Sequence, residues 1–149
     1  MSDAELLIGS RDSEFIRIVP LARSGDDPTD YWDSNWLASE IEASSGTFKA
    51  SVRANLRTDE FAPFSSDLAR LYETLTGEAT FTTLERWVEI RVAGDGRGHF
   101  VAECDLRDDP SWAARLRLLI HFDQTGLPSI LRGLKAIEES FPVLGKPAV

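Results

Sequence analysis

The chain has 149 residues, 42% hydrophobic and 28% charged, the proportions of an ordinary soluble globular domain. Its 25 acidic residues against 16 basic ones give a formal net charge of −9, which argues against a nucleic-acid partner because phosphate binding needs a concentrated basic surface. There is no apolar run long enough for a membrane span and no secretory-type leader in "MSDAELLIGSRDSEF", while the lone Cys104 cannot form an internal disulfide; a reducing cytoplasm is expected.

In chain order, "ELLIG" and "EFIRIVPL" predict two strands joined by "SRDS", with Ile16 and Ile18 on one face and Phe15, Arg17 and Val19 on the other. Pro20 cannot donate to a ladder and belongs at a strand end or sheet edge. Residues 22–35 then read as a long acidic loop, and loops of that length are functional or mobile. Asp26, Asp27, Asp30 and Asp33 give it negative charge with no basic residue between them.

From Trp36 to Leu56 the pattern alternates around "SSG", as a half-buried antiparallel hairpin requires. Leu37, Ile41 and Ala43 share a face with Phe48, Ala50, Val52, Ala54 and Leu56, and Trp36, Glu40, Glu42, Lys49, Ser51 and Arg53 take the other. A turn near Ser45 would set Glu42 opposite Lys49. Thr58 opens an amphipathic helix, with Asp59 and Glu60 in its first turn, where carboxylates suit the dipole. Phe61, Phe64, Leu68, Leu71, Tyr72 and Leu75 form its stripe, and Gly77 is the expected stop.

A meander of three strands follows. Val88, Ile90 and Val92 share a face, "GDGRG" turns the chain, Phe100, Ala102, Cys104 and Leu106 return on that face, and "RDDP" turns it again. Trp112, Ala114, Leu116, Leu118, Ile120 and Phe122 then keep period two. Thr125 is the expected cap of a last helix with Leu127, Ile130, Leu131, Leu134, Ile137 and Phe141 buried. Gly133 in mid-helix costs about 1 kcal/mol against alanine, which close approach to another element would explain. The reading is one α+β domain over residues 1–149: a strongly twisted, mostly antiparallel sheet of about seven strands, its apolar face covered by two amphipathic helices. Residues 142–149 are expected to fray.

The residues offer little catalytic chemistry. The serines lie outside any G-x-S-x-G elbow, Cys104 falls on the apolar face, and "GDGRG" joins two strands rather than opening a helix. At "FDQTGL" Asp123 is expected to bond backbone amides while Thr125 caps the helix. The best enzyme-like constellation is on the polar face of the meander, where His99 and His121 become diagonal neighbours with Glu103 further along, beside Arg115. Two imidazoles and a carboxylate suit a metal, a small molecule or acid–base work. The alternating charges of that face equally suit plain solvation, and neither a cofactor nor a metal is assigned.

A binding surface is the stronger reading. Asp26, Asp27, Asp30, Tyr31, Trp32, Asp33 and Trp36 combine charge with large aromatics, the usual interface anchors, and Trp87 adds another on the polar sheet face. Trp36 has a structural alternative, packing over the hairpin against Tyr31 or Trp32. A homodimer through the polar sheet face is a further possibility.

"SNWL" at the hairpin start, "DEFAPFSSDLARLYETLTGEATF" and "LLIHFDQTGLPSILRGLKAIEESFP" resemble the WapI-type bacterial immunity proteins, over about Asp30 to Pro142. Asn35, Trp36, Leu37, Phe64, Phe122, Asp123, Gln124 and Leu127 stand at the matching positions. The resemblance implies a non-enzymatic cytoplasmic protein that neutralises a toxin domain. A charge of −9 would then complement a basic nuclease toxin.

Overall fold

The computed structural model describes residues 4–25, 27–111 and 114–147. Two four-stranded antiparallel sheets replace the single sheet expected. The first is ordered β1 (Leu6–Gly9), β2 (Phe15–Arg23), β3 (Trp36–Ser45), β4 (Phe48–Arg57). The second is β5 (Thr76–Thr82), β6 (Val88–Asp95), β7 (His99–Arg107), β8 (Arg115–Asp123). A short helix α1 (Tyr31–Ser34) lies inside the expected acidic loop, and the long helices are α2 (Phe61–Thr74) and α3 (Leu127–Ser140).

The break between the sheets has a physical cause. α2 follows β4 directly, so the chain leaves the first ladder before it can form the second. Its stripe of Phe61, Phe64, Leu68 and Leu71 is buried and seats on Phe81 of β5, whose ring centroid lies 5.2 Å from Phe61 and 5.5 Å from Phe64. Strand β5 is thus the partner of the helix that precedes it. Tyr72, expected on the buried stripe, is exposed, and Leu75 rather than Gly77 ends the helix, in the left-handed region with φ 62°. Gly77 instead is the second residue of the β5 ladder, opposite Gly94.

Both sheets and both long helices feed one core, which includes Ile16, Ile18, Leu37, Ile41, Leu56, Ile90, Val92, Ile120 and Leu134. Alternation assigns the strand faces correctly: Ile16 and Ile18 are buried, while Phe15, Arg17 and Val19 are half-buried. Strand β8 meets β1 and β3, and at Gly9 an added Cβ would lie 2.8 Å from Ile120 Cγ2. Gly133 of α3 fits the expectation of close approach, because a Cβ there would meet the Glu5 carbonyl at 2.1 Å. Pro20 sits beyond the last β1 pair, Leu6–Ile18, and beside a bulge, so its missing N–H faces no partner strand on that side.

The β3–β4 turn falls one residue later than expected. Ser44 rather than Glu42 faces Lys49, Glu42 faces Ser51, and Trp36 faces Arg57. Moving a turn centre by one residue shifts every partner by two, so the faces survive while the pairs change. Phe48, at the end of that turn, is exposed instead of buried. Trp112 lies outside the described residues.

Asp123, not Thr125, does the capping at the "FDQTGL" junction. Its carboxylate accepts from the Thr125 amide at 2.9 Å and from the Thr125 hydroxyl, ahead of a 3-10 turn that leads into α3. After α3, Leu144 is tied to Asn35, whose side chain donates to the Leu144 carbonyl at 2.8 Å and accepts from the Leu144 amide at 2.9 Å.

Candidate functional site

The most elaborate polar construction is centred on Arg57, at the open end of the β3–β4 hairpin. Arg57 is only 1% exposed, yet a lone buried cation is costly. The sequence satisfies it by folding "DYWDSN" back over the hairpin end. Asp30, in an extended conformation, accepts from the amides of Trp32 and Asp33 and so caps α1. That turn aims two carbonyls inward: Arg57 Nη1 donates to Trp32 O at 2.9 Å and Nη2 to Tyr31 O at 3.4 Å.

Three rings close around the guanidinium, with centroids 5.3 Å (Tyr31), 4.7 Å (Trp32) and 5.0 Å (Trp36) from its central carbon. Each is within cation–π range. Asp59 completes the charge balance, 3.4 Å from Arg57 Nε, and accepts the Tyr31 hydroxyl at 2.5 Å. That hydrogen bond to Asp59 also pushes the Tyr31 phenol above its ordinary pKa. Asn35 locks the assembly from beneath, donating to Tyr31 O at 2.7 Å and accepting from Thr58 Oγ1 at 2.8 Å.

The aromatics of the acidic loop are therefore largely committed to caging Arg57. Tyr31 and Trp36 are half-buried; Trp32 keeps 54% of its surface exposed. Asp27 and Asp33 stiffen the loop, for Asp27 accepts from Thr29 and Asp33 accepts from the Asp27 amide. Thr29's hydroxyl and amide hold the Asp27 carboxyl below its usual range. Asp26 lies outside the described residues. Trp87, expected on the polar sheet face, packs part of its ring against the core.

Beside the cage lies a cleft of about 360 Å³, bordered by Trp32, Arg57, Asp59, Glu60, Pro63 and Leu84. Leu84 is 62% exposed, so two exposed apolar side chains line a cleft together with two carboxylates and the caged Arg57. Glu60 accepts from the Arg57 amide at 2.6 Å and the Leu84 amide at 2.5 Å, tying the β5–β6 loop to the start of α2. Burial pushes its carboxyl up to about 7, against the pull of those two amides.

The alternative constellation is not assembled. His99 faces Asp123 in the ladder, with His121 diagonal to it as expected. However, His99 Nδ1 lies 3.2 Å from Asp95 and His121 Nδ1 3.2 Å from Glu14. Glu103 is taken by Arg91, at 2.7 Å, and by Arg117, while Arg115 pairs with Asp105. The bond from Arg91 leads in holding Glu103 below the usual carboxylate range. Among the described residues, no group of three or more His, Cys, Asp or Glu is placed to hold a metal. Cys104 is buried as expected, and desolvation pushes its thiol up to about 12.

A second cleft, of about 330 Å³, lies across the β5–β6 loop, where Arg86, Arg107 and Arg115 converge with Thr82, Glu89 and Asp105. Arg86 is left-handed, with φ 61°, a conformation that costs a non-glycine residue roughly 1–2 kcal/mol.

The Immunity protein WapI-like family model matches residues 6–142. The chain belongs to that family. No curated protein matches it at a significant level. Membership carries a general role in toxin neutralisation and hence a protein partner. The match begins at Leu6, so it takes in the first hairpin, which lies outside the segments that carry the resemblance in the sequence. Among the described residues no helix is long and apolar enough to cross a membrane.

Sequence reasoning did not find Arg57, Asp59, Glu60, Leu84 or the second cleft. A signal for Arg57 existed: with the turn one residue later, Trp36 and Arg57 face each other across the hairpin.

Proposed function

We infer that the protein is a non-catalytic cytoplasmic inhibitor that blocks a basic toxin domain through the surface around Trp32. The observation that carries this reading is that the exposed Trp32 and Leu84 line one cleft together with Asp59 and Glu60. Tryptophans at the centre of an interface supply much of its energy, most of all when held rigid beforehand. Here the Arg57 cage holds the Trp32 ring, so little conformational freedom is lost on docking.

The occupant that fits is a lysine- or arginine-bearing segment of the toxin. Its apolar stem packs on Trp32 and Leu84, and its charge draws the Glu60 carboxyl, raised by burial to about 7, toward the ionised form. Asp27, Asp30 and Asp33 extend the negative rim, and the −9 net charge speeds encounter with a basic partner. A toxin of the nuclease class has that basic character, since it must bind phosphates.

The test is calorimetry with the toxin domain encoded beside this gene, comparing wild type with Trp32→Ala and Leu84→Ser. Trp32→Ala should weaken binding by roughly 2 kcal/mol, about thirtyfold. Wild-type affinity should fall as salt rises. Full affinity in both variants would move the interface elsewhere, and no binding by the wild type would remove the inhibitor reading.

A further inference from the structure

The polar face of the second sheet follows a charge pattern that fails in one row. Across the ladder, Arg91 faces Glu103, and Asp105 faces Arg117. Those rows mix signs, although Glu89 also faces Asp105, and ion pairs run within and between rows, from Arg91 and Arg117 to Glu103 and from Arg115 to Asp105. In the next row Arg107 faces Arg115 directly, two like charges across a strand pair, an arrangement that is ordinarily destabilising. The row continues into the β5–β6 loop, because the Arg107 amide donates to the Trp87 carbonyl at 2.9 Å, one residue after Arg86.

Three arginines therefore line one cleft in a protein of net charge −9. Among the described residues only Arg115 of the three has a carboxylate partner, Asp105. Among the described residues the guanidinium groups of Arg86 and Arg107 make no ion pair or hydrogen bond. Glu89 also borders the cleft, and with Asp105 leaves the three guanidiniums in excess.

Arg86 adds an independent observation. It closes a turn in which its amide donates to the Thr83 carbonyl at 3.0 Å, and it occupies the left-handed conformation that glycine adopts freely. Strain of this kind concentrates where a side chain has work to do.

We propose that this cleft is a binding site for a phosphate group carried by a small molecule. Guanidinium forks match phosphate oxygens in pairs. Arg86 in the β5–β6 loop and Arg107 on β7 supply free forks, Arg115 on β8 adds charge beyond Arg107, and the Thr82 hydroxyl offers a neutral donor. A volume of about 330 Å³ suits a phosphate monoester with a small organic part. The site adjoins the Trp32 cleft, with Thr82 and Thr83 lining both, but its arginines are separate from that surface's residues, and it stands whether or not that surface binds a toxin.

The test is an amide-resolved NMR titration of the full chain at fixed ionic strength, with inorganic phosphate and with ribose 5-phosphate, and chloride as the control. Saturable shifts centred on Thr82, Arg86, Arg107 and Arg115 are expected. Tighter binding of ribose 5-phosphate would assign an organic phosphate, and equal binding the free ion. Arg107→Gln should weaken the interaction at least tenfold. Arg86→Gly should weaken it similarly while raising the melting temperature, because it removes the guanidinium and relieves the left-handed strain together. A structural role for Arg86 would not produce those opposite movements. Shifts reproduced by chloride, no saturation with either phosphate, or unchanged affinity in Arg107→Gln would overturn the proposal.

Discussion

Arg57 and Arg117 both meet carboxylates, but at opposite extremes of solvation. Arg57 is enclosed by three rings, two carbonyls and Asp59. Arg117 sits on the edge strand β8 and reaches Glu103 with 66% of its side chain in water. Removing water from a guanidinium costs several kcal/mol, so the interior site is tolerable only when nearly every donor finds a partner. At the surface, water supplies whatever the pair lacks, and the pair itself contributes little. The elaborate site is therefore the one on which the local fold depends: α1, the "DYWDSN" turn and the Trp32 surface are arranged around Arg57.

Removal of that cation should produce the largest effect. Arg57→Met keeps much of the volume but takes the guanidinium donor from the Trp32 carbonyl, leaves the Tyr31 carbonyl with Asn35 alone, and leaves Asp59 without its counter-charge. A loss of roughly 3–5 kcal/mol is expected in equilibrium urea unfolding. Trp32 fluorescence should also change, since its ring loses the cation it covers. A loss below about 1 kcal/mol, on the scale of an exposed pair, would erase the distinction between the two arginines.

The same two regions show what could be read before the fold was known. Strict alternation in β6, β7 and β8 placed Val88, Ile90, Cys104 and Ile120 on the buried face, because a half-buried strand leaves a period-two trace. Gly133 and its close neighbour were legible for a similar reason: an unfavourable residue in mid-helix asks for a steric cause. The Arg57 cage was not legible. It depends on a four-residue helix too short for any periodicity and on a hairpin register set by the Gly46 turn, with φ 60°. Strand β5 was hidden because only Ala79 and Phe81 are buried in "TGEATFT". Nothing local to a strand records which ladder it joins, so the division into two sheets was not legible either.

Glu60 lies between the extremes, buried beside the cage but held by two amides, and it should give an intermediate effect. Its folded pKa of about 7 lies above the ordinary value of 4.5. Between those values the folded protein keeps a proton that the unfolded chain has released. The contribution to stability is thus full below pH 4.5, falls as pH rises toward 7, and is constant above it. Allowing for partial solvent screening, the fall should be on the order of 1–2 kcal/mol. Glu60→Gln keeps the volume and one carbonyl acceptor but cannot titrate. The difference between wild-type and Glu60→Gln urea midpoints, followed from pH 4 to 8, isolates this group from the histidines. A difference that stays flat across that range would place the Glu60 pKa at its ordinary value.

Arg117→Gln should have the smallest effect. Glu103 keeps Arg91 at 2.7 Å when Arg117 is removed, so no carboxylate is left unpaired, and the vacated position is filled by water. The expected loss is about 0.5 kcal/mol or less, and it should shrink further in high salt because exposed charges are screened within a few ångströms there. A larger, salt-insensitive loss would mean that the Arg91–Glu103–Arg117 ladder behaves as a desolvated unit. In that case burial alone would not separate the two arginines, and the number of partners each one holds would have to be the deciding quantity.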